Sequence, residues 1–311
     1  MKKELPLKPI KHAKIIAGMS VDELIHELDS CAFGAGKLAC AARIYENMVN
    51  SDSLKFFGLS GAMVPAGMRQ IISDMIRDGY IDVLVTTGAN LVHDLIESLG
   101  GNHYKGTEDI GSAFLKKHRL NRIFDVFLPE EYFETLEQHL LGVYAKMDKG
   151  LNIREFIYEI GKSVDDHNSI LKSAVDCNVP VFCPAVQDSM IGLHAWLYKQ
   201  TKPLKVDVFD DMREFMDICY SAKKTGAIMI GGGVPKNFIL QSMLLSSKGG
   251  FDYFIQITTD RPEPGGLSGA TFEEAKSWDK VKESAKAVTV YSDATIALPL
   301  IIASLRERLK G

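Results

Sequence analysis

The sequence predicts an α/β protein with a doubly wound, mainly parallel sheet and an N-terminal helical extension. Six short apolar runs recur between residues 54 and 291. Their near-continuous apolar character marks strands covered on both faces. Amphipathic segments alternate with these runs, the pattern of parallel strands joined by crossover helices. The turns after the runs are rich in Gly, Ser, Thr, Asp and Asn, at the positions where such folds bind ligands.

Helical spacing opens the chain. Leu24, Ile25, Leu28 and Ala32, then Leu38, Ala41, Ala42, Ile44, Tyr45 and Met48, share one face, so residues 20–49 read as helix. Ser20 and Glu23 make a capping box at its start. Gly34-Ala35-Gly36-Lys37 lacks full phosphate-loop spacing, and Leu38 stands where Ser or Thr is required. It reads as a helix interruption.

The first strand is Leu54 to Leu59, followed by small residues and an amphipathic segment to about Arg77. Ile81 to Thr87 is the second, leading through Gly88-Ala89-Asn90 into another helix. Val179 to Pro184, Ala227 to Ile230, Tyr253 to Ile257 and Val288 to Tyr291 are the remaining four. Ser292-Asp293-Ala294 opens the last helix. Residues 103–175 read as a mostly helical, charged excursion over the sheet. With no repeat and no linker, residues 1–311 read as one domain, with 1–50 as the helical extension and 51–311 as the α/β core.

Composition narrows the function. The chain is 46% hydrophobic and 24% charged, with a net charge of −4. No Lys/Arg block points to nucleic acid. No stretch of about 18 apolar residues could cross a membrane. Met1 to Lys14 carries five lysines and two prolines and has no apolar run, so no signal peptide is expected. The five cysteines are scattered without a CxxC pair, which fits a reducing cytoplasm. The eight histidines are equally dispersed, and no metal signature appears.

Several residues could carry chemistry. Gly231-Gly232-Gly233 follows a predicted strand and precedes a helix, where backbone N–H groups can approach a phosphate. A tight turn accounts for it equally well. Asp188, Asp260 and Asp293 each follow a strand, as ribose ligands or as helix caps. Thr271 and Glu274 form a capping box, so a helix starts at 272 with Lys276 and Lys280 on one face. A lysine forms Schiff bases only when neutral, and an apolar pocket or nearby cation lowers its pKa. Spacing alone leaves Lys280 open between that role and a solvated face. His194 and Trp196 read as packing residues. His93, just beyond a strand end, could act as a general base.

Ordered motifs then carry a resemblance. Asp82 to Thr87, Pro180 to Ala185, Gly231-Gly232-Gly233-Val234-Pro235-Lys236, Ser277-Trp278-Asp279-Lys280 and Val290 to Ala294 resemble the deoxyhypusine synthase family over nearly the whole chain. The resemblance implies a Rossmann-like NAD-binding fold and a transferase in the cytoplasm, assembled as a homotetramer. It implies that the aminobutyl group of spermidine passes through an imine on the catalytic lysine, Lys280, to a lysine of translation initiation factor 5A. It assigns NAD contacts to Thr87, Gly88, Asp188, Gly232, Thr259, Asp293 and Ala294, and places the loop Gly61 to Pro65 near the cofactor. It assigns polyamine contacts to Trp278 and Glu274, with His93 and Asn237 at further substrate positions. Eukaryotic members carry a histidine at Asn237, a glutamate pair at Val92-His93, and acids at Leu193 and Leu267. The loss of acidic groups makes transfer to a small amine such as putrescine, giving homospermidine, or use of agmatine as donor, the alternative. A non-catalytic NAD-binding paralogue is the third reading, opposed by the intact Lys280, Trp278 and Glu274.

Overall fold

The computed structural model describes residues 8–147, 150–246 and 249–309. The first seven residues of the lysine-bearing N-terminus therefore lie outside the described residues.

All six predicted strands form, and they share one sheet. They are β1 (Ser53–Leu59), β2 (Val83–Thr86), β3 (Val181–Phe182), β4 (Lys224–Ile230), β5 (Phe251–Thr258) and β6 (Val281–Tyr291). Every pairing is parallel, with Phe56 opposite Val83 and Ala227, Ala227 opposite Phe254, and Leu84 opposite Val181. In chain numbering the order across the sheet is 3-2-1-4-5-6. That is the doubly wound order of dinucleotide-binding sheets, whose strand order reverses between β1 and β4.

Side chains alternate between the sheet's two faces. Phe57, Leu84, Ile228, Ile255 and Val288 enter one core together with Ile25, Tyr45 and Met48 from the N-terminal helices. Phe56, Val83, Val85, Phe182, Ala227, Met229 and Phe254 enter the other, with Phe215 and Ala275. Phe215 meets Phe56 and Phe182 edge-on, at ring centroid distances of 5.6 and 4.8 Å. With both faces covered, no period-2 polar signal survives in the strands, and they read as apolar runs.

Two expectations change. The N-terminal helix is two helices, Val21–Leu28 and Phe33–Asn50. The Ser20/Glu23 capping box does form. The chain turns at Asp29–Ala32, before the Gly34–Lys37 segment, and Phe33 takes φ 58°. A Cβ on Gly36 would overlap the Cys31 carbonyl, so this glycine serves helix packing. The excursion after residue 103 is also not purely helical. Tyr104–Lys105, Leu120–Ile123 and Val126–Pro129 form a small antiparallel sheet. Among the described residues no helix is long and apolar enough to cross a membrane.

Candidate active site

Because all six strands run parallel, the turns that follow them meet at one edge. Thr87 caps the helix after β2, its Oγ1 accepting from Asn90 N at 3.4 Å, and Gly88 opens that helix. Asp188 is exposed in the turn after β3. Gly232 follows β4, and Thr259 follows β5 and is exposed. Asp293 and Ala294 lie at the start of the last helix. Asp293 Oδ1 accepts from Thr295 N at 2.7 Å and from Thr295 Oγ1 at 2.9 Å, which is the capping geometry. These seven expected residues therefore share the carboxyl edge of the sheet.

The point where the strand order reverses is tightly built. Ser60 Oγ, just past β1, donates to Gly232 O at 2.5 Å. Gly231 and Gly233 have φ of 69° and 58°, in the region that favours glycine. A Cβ on Gly232 would overlap Ser268 Cα. The triple glycine thus lets the loop before the helix Phe272–Ser277 lie directly on the β4 turn.

Two buried polar side chains fasten that loop. Lys236, in the first turn of the helix Gly233–Ser242, is 2% exposed, and Gln256 in β5 is 1% exposed. Lys236 Nζ donates to Gln256 Oε1 at 3.1 Å, Leu267 O at 3.1 Å and Ala270 O at 2.6 Å. Gln256 Nε2 donates to Gly231 O at 2.9 Å and Ser268 O at 2.8 Å. Burial, against the pull of Glu274 and with a smaller push from Lys280, lowers the Lys236 amine to about 8.

Lys280 reaches this neighbourhood from a different direction. The helix Phe272–Ser277 runs back across the sheet and ends at Trp278, so Lys280 lies beyond it and does not share the expected helical face with Lys276. Asp279 turns at φ 55°, and Phe251 N donates to Lys280 O at 3.0 Å. The Lys280 backbone therefore sits at the starts of β5 and β6, the sheet end opposite the glycine turn. Its amine stands 5.8 Å from the centre of the Trp278 ring, which is 61% exposed. Thr271 caps the helix by accepting from Glu274 N at 3.2 Å. The reciprocal carboxylate bond that completes the boxes at Ser20/Glu23 and Asn152/Glu155 does not form here. The expected capping box is thus half made, and the exposed Glu274 carboxylate is not tied to its own backbone. Asn237 is half-buried, one residue beyond Lys236.

His93 joins a separate cluster. Its Nδ1 lies 2.9 Å from His103 Nε2, and His103 Nδ1 lies 2.6 Å from Glu97 Oε1. Burial and the neighbouring His103 lower His93 to about 4, against the pull of Glu97. A cleft of about 630 Å³ opens beside this cluster, lined by His103, Asp293, Thr295 and the loop Ala62 to Gly67. The loop expected near the cofactor borders this cleft through Ala62, Met63 and Pro65. A larger cleft, about 890 Å³ around Leu151 and Asp207, borders none of the carboxyl-edge residues.

Comparison with known proteins agrees with this architecture. The deoxyhypusine synthase family model matches residues 23–305. The chain belongs to the deoxyhypusine synthase family. It is 59% identical over 303 residues to "Probable deoxyhypusine synthase 1" of Methanosarcina mazei, covering 97% of this chain and 95% of that one. It is 50% identical to "Probable deoxyhypusine synthase 1" of Archaeoglobus fulgidus, covering 95% and 97%. A solved structure from Entamoeba histolytica, named as a candidate deoxyhypusine synthase, superimposes with a TM-score of 0.65. That match covers 92% of this chain and 93% of that one at 17% identity, and it bears on the fold alone. Deoxyhypusine synthases are transferases, so the site is that of a transferase family.

The motif reading of the site missed Lys236, Gln256 and His103 as side chains of consequence. Gln256 had a signal, as the one amide in the apolar run Tyr253 to Ile257. Lys236 had one too, set among Pro235, Ile239 and Leu240. His103 had none, because its partners come from the preceding helix.

Proposed function

We propose that this protein transfers the aminobutyl group of spermidine to a lysine of translation initiation factor 5A, through an imine on Lys280, with NAD as cofactor. The observation that carries this reading is the setting of Lys280: its amine stands 5.8 Å from the Trp278 ring, just past the loop that the buried Lys236 fastens through Leu267 O and Ala270 O.

The carboxyl edge fits a dinucleotide. Asn90 Oδ1, at the first turn after β2, is buried and has no hydrogen-bond partner among the described residues. Such an acceptor costs about 1–3 kcal/mol unless a donor meets it, and a ribose hydroxyl or a carboxamide supplies one. Thr87, Gly88, Asp188, Gly232, Thr259, Asp293 and Ala294 are the residues proposed to hold NAD. Bound there, NAD supplies oxidation of the donor amine to an imine and the matching reduction at the end. Lys280 attacks the imine carbon of the oxidised donor, and 1,3-diaminopropane leaves. The acceptor lysine then displaces Lys280 in the same way. Glu274 and Trp278 orient the remaining ammonium of the aminobutyl group, one by charge and one by its ring face.

The second reading, transfer to putrescine or use of agmatine as donor, is favoured by Leu193 and Leu267. These are 45% and 40% exposed and put apolar surface where a triamine would want carboxylates. Assembly as a homotetramer is part of the proposal. It draws support from Leu193, Trp196 and Leu197, an exposed apolar stripe on the helix Met190–Lys199. The five free cysteines accord with a cytoplasmic location.

The test is incubation with NAD and spermidine labelled in its butylamine half, with initiation factor 5A or with putrescine as acceptor. Label on the factor, lost in Lys280→Ala, is the expected result. Label in homospermidine alone would establish transfer to the small amine. Label in neither, with NAD still bound, would defeat spermidine as donor and point to another donor such as agmatine, or to a paralogue without this chemistry.

A further inference from the structure

The His93 cluster is organised beyond what packing requires. Asp94 is fully buried and accepts from Arg69 Nε at 2.7 Å, Ser169 Oγ at 2.8 Å, and Ile170 N and Leu171 N at 3.0 Å each. Arg69, from the helix Arg69–Arg77, also pairs with Asp166 at 2.7 Å and lies 3.5 Å from Glu97. Glu97 is thereby held in place, with one oxygen toward Arg69 and the other 2.6 Å from His103 Nδ1.

This chain of contacts sets the tautomers. An ionised Glu97 accepts from His103 Nδ1–H, so a neutral His103 offers its Nε2 lone pair to His93 Nδ1–H at 2.9 Å. Both His103 nitrogens are then engaged. The free nitrogen of the series is His93 Nε2, which has no partner among the described residues. His103 forms part of the wall of the 630 Å³ cleft, where Lys105, Asp125 and Asp293 are the other charged groups.

We propose that Glu97, His103 and His93 form a proton relay beside this cleft, which takes up a proton at His93 Nε2 and holds it on His103. A proton arriving at His93 Nε2 releases the one on Nδ1 to His103 Nε2. The positive charge then rests on His103, between Glu97 and a His93 that is neutral again. Burial disfavours charge on His93 itself, as its lowered value of about 4 reflects, and the relay moves the charge next to a carboxylate. Resting on the function proposed above, the proton source is the ammonium of the amine donor. It must become a neutral amine before it can be oxidised, and the relay returns the proton when the product amine forms. His93 is the base in this scheme, and His103 and Glu97 are positioning residues.

The test uses the full-length protein and two readouts. Hydrogen–deuterium exchange at histidine C2, followed by mass spectrometry across pH, reports each imidazole without turnover. As pH falls, His103 is expected to titrate first and His93 well below it. Glu97→Gln should lower the His103 midpoint and leave the other histidines in place. In parallel, NADH formation from NAD and spermidine is followed across pH. His93→Gln and His103→Gln should each slow it about 100-fold, the lower end for general acid–base catalysis, with NAD affinity kept. Added imidazole should restore part of the rate to His93→Ala, and Glu97→Gln should shift the acid limb of the profile. His93 titrating before His103, or midpoints unmoved by Glu97→Gln, would overturn the relay. Wild-type rates in His93→Gln would also overturn it, leaving the dyad a structural one. If the wild-type protein oxidises neither spermidine, putrescine nor agmatine, the function reading fails, and exchange still decides the relay.

Discussion

Lys236 Nζ lies 3.1 Å from Gln256 Oε1 inside the sheet's carboxyl edge. Through that contact the helix after β4, strand β5 and the loop leading to Lys280 meet at one buried amine. Lys236→Met should leave Gln256 Oε1 and the carbonyls of Leu267 and Ala270 without their donor. A loss of about 1–3 kcal/mol is expected from the unsatisfied acceptors, measured by urea unfolding, together with weaker NAD binding by calorimetry.

The same amine sets a pH dependence. Lys236 is lowered from 10.5 to about 8 in the folded chain, so the unfolded chain binds this proton more tightly. Between these values the unfolded state is protonated at this site and the folded state is not, so this group makes stability rise with pH across that window. The wild-type curve should climb relative to Lys236→Met from pH 8 toward 10.5, by up to about 3 kcal/mol at 1.36 kcal/mol per unit. Parallel curves would show that the lysine titrates normally.

Gly232→Ala is predicted to act on the loop rather than on the core. The added Cβ would overlap Ser268 Cα, which is backbone and cannot rotate away. NAD affinity should fall at least about tenfold, equivalent to 1.4 kcal/mol, in a calorimetric titration.

Arg69 and Asp94 make a buried pair, 9% and 0% exposed at their side chains. Asp94→Ala removes one partner and leaves Arg69 Nε and the first turn of the helix Ile170–Asp176 without their carboxylate acceptor. A loss of about 3–5 kcal/mol is expected for breaking such a pair, readable as a lower urea midpoint at unchanged slope.

Thr271 and Glu274 should separate cleanly. Thr271→Ala removes the cap and should cost about 1 kcal/mol of stability. Glu274→Gln leaves the cap intact, so its unfolding midpoint should barely move while KM for the amine donor rises. Equal stability losses in both variants would mean that Glu274 is a structural residue.

Much of the fold was legible because a sheet buried on both faces leaves apolar runs. All six runs became strands of one sheet. The strand order was not legible, since it depends on which runs pair. The break at Asp29–Ala32 was hidden because Ala32 and Leu38 keep helical spacing across it. The short antiparallel strands around Phe127 were hidden for another reason: they are half-exposed and only two to four residues long, so no period builds up. At the site, the turn residues could be placed from the ends of the strands. Lys280 could not, because the helix Phe272–Ser277 folds back over the sheet and ends before it, delivering Lys280 from the opposite end. The His93–His103 contact depends on how the chain returns after the helix Gly88–Ser98, which spacing does not encode.

The most direct measurement is covalent trapping. The protein is incubated with NAD and spermidine, reduced with borohydride and mapped by peptide mass spectrometry. The account predicts an aminobutyl adduct on Lys280, absent in Lys280→Ala and present in Lys236→Arg. An adduct on Lys236, or none on either lysine while NADH is formed, would contradict it.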